Sequence, residues 1–354
     1  FTGEGLSGSL DPYGHGTHVA GLVAGNGSLS AGGDRPFIGI APAAGLVDLR
    51  VLGASGPGRL EGLLRALDWV LLYGETAGVR VVNLSVGTAP HESHDTDPLC
   101  QAVKALHEAG ITVVVAAGNH GKTEDGKKVY GGILSPATDP TVITVGAANT
   151  FQTDFRSDDG VTTFSSRGIT RSYRERDLDG DGKSSVEERR YDNLMKPDLI
   201  APGNKLVSTL SPGCSLGQEN PELLVGGDYL QLSGTSMAAP VVSGAAALLY
   251  QAHPGLTPSL LKAMLMYTSH ELDGPNRLEQ GAGLLNALGA YHMAMRVVPE
   301  PGDLRAGESA TPGLELERAS YHLKTAGETV AWKRGVVHVN GWSFGRELYR
   351  SGGI

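Results

Sequence analysis

At 354 residues, with 40% hydrophobic and 19% charged residues, the chain is long enough to bury a full core, as one large domain with an appendage or as two. A net charge of −9 supplies no basic field for binding polyanions, and no apolar run approaches the ~18 residues that span a membrane. Glycine, at 51 residues, runs at roughly twice its usual share, which forecasts many tight turns and close backbone approaches. Cys100 and Cys214 leave one bridge or two free thiols equally open. The chain opens at Phe1-Thr2-Gly3-Glu4 with neither an initiator Met nor a signal peptide, which reads as a processed or truncated product.

The first readable element is Asp11-Pro12-Tyr13-Gly14-His15-Gly16-Thr17-His18-Val19-Ala20-Gly21, a glycine-rich turn feeding a short helix through Ala24. His15 sits at the turn, and His18 lies one helical turn later on the same face. The pair could hold a metal, but no Cys or further His completes a zinc set, so a general-base His15 or a plain capping histidine fits better. Val47-Asp48-Leu49-Arg50-Val51-Leu52 alternates like a strand and is broken by Gly53-Ala54-Ser55-Gly56-Pro57-Gly58. Leu60, Leu63, Leu64, Leu67, Val70 and Leu71 then recur at helical spacing.

Val79 to Ser85 predicts a strand, Gln101 to Glu108 a helix ended by Gly110, and Ile111 to Ala117 a continuous apolar strand of the kind found inside parallel sheets. Thr141 to Gly146 repeats that signal. Strands alternating with helices predict an α/β architecture, a mostly parallel central sheet with helices on both faces. Sites in such sheets gather at the C-terminal ends of the strands. Residues 116–123 nearly spell a phosphate-binding loop, with Ala116 in place of its first glycine. A nucleotide hydrolase would need a helix directly after Lys122-Thr123, and the following residues, Glu124 to Gly132 and then Pro136, have loop chemistry.

A charged insertion, residues 169–195, separates Thr163-Phe164-Ser165-Ser166-Arg167-Gly168 from Lys196-Pro197-Asp198-Leu199-Ile200-Ala201-Pro202-Gly203. Its centre places Asp177, Asp179, Asp181, Lys183 (through its carbonyl), Ser185 and Glu188 at the ligand positions of an EF-hand calcium loop, with Gly182 at the sharp turn. The plainer reading is an acidic, solvated loop. Short Arg/Glu-rich flanks suggest a single structural calcium loop grafted onto another fold.

Leu232-Ser233-Gly234-Thr235-Ser236-Met237-Ala238-Ala239-Pro240 runs a Gly-Thr-Ser turn into a small-residue helix that continues through Tyr250. Such a serine could merely cap its helix. It could also be a nucleophile, because the unpaired N–H groups and positive end of the helix dipole suit a developing oxyanion. Thr257-Pro258 opens the next helix, and Gln280 to Asn286 leads to a last one near Met295. Pro299-Glu300-Pro301 marks a linker at the start of an extension, residues 298–354, with strand-like pieces such as Val336-Val337-His338-Val339.

Five of these stretches, in this order, resemble the subtilisin-like serine proteases across residues 11 to about 295: Gly14 to Gly21, Asn83-Leu84-Ser85-Val86-Gly87, Val115-Ala116-Ala117-Gly118-Asn119, Ala201-Pro202-Gly203 and Ser233 to Ala238. The resemblance implies a serine endopeptidase domain over residues 1–297. Ser236 would be the acyl nucleophile, His15 the general base and Asn119 a side-chain donor to the oxyanion. It further implies that Gly56, Pro57 and Gly58 on one side, and Ser85, Val86 and Gly87 on the other, pair with an extended polypeptide substrate. Ala116, Ala117 and Gly118 would wall the first specificity pocket, with Thr235 also at the substrate site and a cis peptide at Ser135-Pro136. An N-terminal propeptide and an extracellular location follow from the same likeness.

Two features depart from the family pattern. Its third catalytic residue is an aspartate in an Asp-Ser/Thr-Gly turn ahead of the histidine, and the fourteen residues before His15 contain no such turn. Asp11 matches a different position of the motif, so the domain is expected to be N-terminally incomplete and the chain impaired. Asn26 to Phe37 does not reproduce the family's usual calcium loop, and that metal site is not carried over. A non-catalytic, peptide-binding member of the same fold is the alternative.

Overall fold

The computed structural model describes residues 1, 11–33, 36–175, 188–305 and 308–312, with four further strands between 322 and 344. In chain order the elements are α1 (His15–Ala24), α2 (Leu60–Tyr73), β1 (Val81–Leu84), α3 (Pro98–Glu108), β2 (Thr112–Ala116), β3 (Ile143–Asn149) and β4 (Gly160–Val161). There follow β5 (Tyr173–Arg174), β6 (Arg190–Tyr191), β7 (Leu199–Pro202), β8 (Leu206–Thr209), α4 (Ser215–Glu219), β9 (Leu224–Val225) and β10 (Tyr229–Leu232). The long α5 (Thr235–Ala252) precedes α6 (Pro258–Thr268), α7 (Arg277–Gln280) and α8 (Ala287–Ala294). Beyond them, β11 (His322–Thr325) pairs with β12 (Glu328–Ala331), and β13 (Val337–Val339) with β14 (Trp342–Phe344).

The central sheet runs β1, β2, β3, β7, all parallel, and the short β4 adds antiparallel to the end of β3. Every residue of β2 is buried, as its unbroken apolar run requires of a strand covered on both faces. One face packs on α5, α6 and α8 through Val114, Val145, Leu199, Ala238, Val242, Leu261 and Leu265. The other carries α2 and α3 through Leu63, Leu67, Leu99, Val103, Val113 and Val115. The α/β class with helices on both faces therefore holds. The small residues of α5 explain its place: Ala238, Ala239, Ala245 and Ala246 let the helix lie close against the strands, and it is buried almost all round.

Three expectations change. Residues 47–52 form no strand, because among the described residues their backbone pairs only through a single Leu52–Gly58 bridge, although Leu49 and Val51 still pack on the α2–α3 core. The third helix starts at Pro98 rather than Gln101, since the Asp97 carboxylate accepts from the N–H groups of Leu99 and Cys100 and Pro98 needs no donor there. Cys100 and Cys214 are both buried free thiols, which removes the single-bridge option. Burial pushes the Cys100 thiol up to about 12, so it stays protonated and inert. The cis peptide at Ser135-Pro136 is present as expected.

Candidate active site

His15 is the first residue of α1. Gly14, at φ 94°, makes the left-handed turn into the helix, and the Asp11 carboxylate caps it by accepting from Gly14 N and Thr17 N, each at 2.8 Å, and from Thr17 Oγ1 at 3.0 Å. Asp11 thus shapes the turn that presents His15. Burial lowers the His15 pKa, opposed by the Asp11 charge, so the ring favours the neutral form that a base requires. The Tyr13 ring stacks at 6.3 Å from His15 and also lies against Gly56, where any side chain would strike it. This contact ties the histidine to the Gly56-Pro57-Gly58 turn.

His18 is no metal partner. Its Nε2 donates to the carbonyls of Leu206 at 3.2 Å and Leu230 at 2.9 Å, and burial lowers its pKa to about 4. It is a neutral buried pin joining α1 to β8 and β10. No group of three metal-ligating side chains is gathered among the described residues.

Ser236 is the second residue of α5, so its N–H has no partner in the helix ladder. Its hydroxyl donates to the Ser85 carbonyl at 3.2 Å, just beyond β1. No hydrogen bond joins it to His15 among the described residues. The helices that carry them, α1 and α5, pack against each other.

Asn119 follows β2. Its Oδ1 accepts from Thr235 N at 3.0 Å and from Thr235 Oγ1 at 3.1 Å, while Thr235 Oγ1 in turn accepts from Gly118 N at 3.1 Å. With the carbonyl end consumed, the amide Nδ2 is the end presented, and it lies beside Gly234 at the entrance to α5. The backbone around Asn119 is held by Ser166, whose N–H donates to Gly118 O at 2.9 Å and whose Oγ accepts from His120 N at 3.0 Å. The loop beyond is anchored by the buried Arg167–Glu279 pair at 3.0 Å, with Arg167 also donating to Gly121 O. Lys122 bridges to Lys128 across a turn, and no helix follows it, so the geometry of a phosphate cradle is lacking.

Comparison with known proteins decides the family. The profile of the subtilase family (Peptidase_S8) matches residues 7–290. This chain is a subtilase. It is 35% identical over 282 residues to serine protease AprX of Bacillus subtilis, an alignment covering 78% of this chain and 57% of AprX. Subtilisin Savinase of Lederbergia lenta is 32% identical over 278 residues, covering 78% and 77%. Among solved structures, a cold-adapted subtilisin-like serine proteinase matches at TM-score 0.52 and 27% identity, covering 79% of this chain and 76% of that one. Fervidolysin from Fervidobacterium pennivorans matches at TM-score 0.55 and 26% identity, over 79% of this chain and 36% of that one.

Within this subtilase, residues of the two stretches expected to flank a substrate have these neighbours. Ser85 touches Ser236, Gly56 touches Tyr13 beside His15, and Gly87 packs closely on Leu134 and Ser135. Ala116 and Ala117 are buried, and Leu134 N donates to Ala117 O at 3.1 Å. Asp177, Asp179, Asp181, Lys183 and Ser185 lie outside the described residues, whereas Glu188 is described, at the foot of β6. Thr235, expected at the substrate site, also fixes Asn119, and Ser166 and Arg167 support that asparagine without any motif that marks them. The Phe164-Ser165-Ser166-Arg167-Gly168 run was on view, but only the fold shows that it packs beneath Asn119.

Proposed function

We propose that this chain is a serine endopeptidase that cleaves polypeptides through an acyl-enzyme. Ser236 Oγ attacks the scissile carbonyl, and His15 takes its proton and returns it to the leaving amine. Ser236 N–H and Asn119 Nδ2 donate to the oxyanion. The substrate lies extended between Gly56–Gly58 and Ser85–Gly87, with Ala116–Gly118 walling the first pocket. The observation that carries this reading is the fixing of Asn119 by Thr235, which turns an amide donor toward the start of the nucleophile helix.

Among the described residues, Asp11 is the acid whose charge reaches His15, and its oxygens are committed to capping α1. Serine proteases that lose the carboxylate orienting the histidine turn over on the order of 10⁴-fold more slowly. A p-nitrophenyl acyl ester, whose leaving group needs no proton, should therefore give a burst of nitrophenol and an acyl mass on Ser236. Ser236→Ala should abolish both, while peptide amides turn over far more slowly. Ester hydrolysis unchanged by Ser236→Ala would instead favour the non-catalytic, peptide-binding reading.

The 177–188 stretch is proposed as a structural calcium loop, supported by oxygen donors at every ligand position and by β5 and β6, flanking segments that pair as an antiparallel ribbon. The ion would be held by Asp177, Asp179, Asp181, Ser185, Glu188 and the Lys183 carbonyl, and would order the insertion. Secretion and an N-terminal propeptide belong to this proposal, supported by kinship with the subtilisins. No helix among the described residues is long and apolar enough to cross a membrane.

A further inference from the structure

Pro240 stands inside α5. It has no N–H, so the bond that a regular helix would make back to Ser236 O is missing. That carbonyl accepts instead from Ser85 Oγ at 2.7 Å. A hydroxyl has a single proton to give. Having given it to Ser236, Ser85 Oγ can only accept from its other neighbour, Asn83 Nδ2, at 3.0 Å. The amide of Asn83 is thereby oriented, and its Oδ1, at 2.9 Å, shares the Ser243 hydroxyl proton with Ala239 O at 3.1 Å. Since Ser236 Oγ donates back to Ser85 O at 3.2 Å, two bonds of opposite sense clasp the residue.

We infer that Asn83 is a positioning residue for the nucleophile: by directing the Ser85 hydroxyl onto Ser236 O, it holds the Ser236 backbone in the attitude that attack requires. The polar contacts of Asn83 go to Ser85 and Ser243, so it acts through Ser85 and across from the body of α5. The inference rests on Ser236 being the nucleophile. Ser243 completes the chain at the far end of the amide.

The test is phosphonylation of Ser236 in the full chain by a small phosphonyl fluoride, followed by intact mass to give kinact and KI separately. Asn83→Asp is nearly isosteric and keeps an acceptor for Ser243, but replaces the donor facing Ser85 with an acceptor. It draws the Ser85 proton away from Ser236 O. Asn83→Asp and Ser85→Ala should each lower kinact about tenfold, the worth of one hydrogen bond, with KI unchanged. The double variant should be no slower than the slower single one, because both changes remove the same bond. Where Asn83→Asp does not fold, Asn83→Ala takes its place in the cycle. An unchanged kinact in the Asn83 variant, or losses that multiply in the double, overturns the inference. Failure of the unsubstituted chain to label at Ser236 overturns the nucleophile reading, and the inference with it.

Discussion

The hydroxyl of Thr235 makes two bonds inside the protein, donating to Asn119 Oδ1 and accepting from Gly118 N–H. Thr235→Val keeps the shape and the backbone donor to Asn119 but removes both side-chain bonds at a buried position. Acylation of Ser236 should fall about tenfold while the affinity for peptides stays the same. An unchanged rate would mean that the backbone N–H alone holds the amide. His18 gives a prediction about stability. Its pKa of about 4 lies below the ordinary 6.5, so between these values the unfolded chain binds a proton that the folded chain refuses. Stability is full above pH 6.5 and is lost as pH falls toward 4, by on the order of 3 kcal/mol. Denaturant melts between pH 7 and pH 4 check this, and replacing His18 with Gln, which can still donate one bond, should flatten the slope. Neither role could be read from the sequence. Thr235 and His18 stand within recognisable motifs, but their partners come from the loop after β2 and from β8 and β10, which only tertiary structure brings near.

At the scale of elements, local chemistry is legible wherever it repeats. The α2 periodicity, the apolar β2 run and the Thr257-Pro258 cap all form as their residues dictate. Residues 47–52 have the alternation of a strand without the ladder, because pairing needs a neighbour and alternation alone does not supply one. The ribbon of β5 and β6 was equally invisible, being two residues on each side. It is held by contacts rather than length: Arg171 lies 3.8 Å over the Tyr191 ring and Arg189 lies 4.1 Å over Tyr173. Asp192 accepts from Ser93 Oγ and Ser172 Oγ at 2.7 Å and from His94 N at 2.9 Å, and Arg174 pairs with Asp95. The insertion is therefore fastened to the stretch that leads from Gly87 to α3, and ordering it by calcium should stabilise more than the loop itself. At calcium a hundredfold above Kd the gain is about 2.7 kcal/mol. A thermal midpoint that rises with calcium, and does so no longer in Asp179→Ala, is the expected result. A midpoint indifferent to both ion and chelator would leave the acidic stretch as solvated surface.

For the whole molecule, the design is a parallel sheet whose strand ends and helix starts converge. β1 leads to Ser85, β2 leads to Asn119, α1 begins at His15, and α5 carries Ser236 as its second residue. This convergence was legible because glycine-flanked motifs mark each strand-to-loop and loop-to-helix junction. The Ser85–Ser236 clasp and the fixing of Asn119 were not, since they depend on angstrom-scale distances between elements. The most direct test follows Ser236 phosphonylation against pH, with peptide mapping by mass. The account predicts a single adduct on Ser236, with a rate that falls in acid around a midpoint below 6.5, because burial lowers the His15 pKa and only the neutral ring can take the proton. His15→Ala should be slow at every pH. Adducts on other serines, or a rate at Ser236 that ignores both pH and the loss of His15, would contradict it.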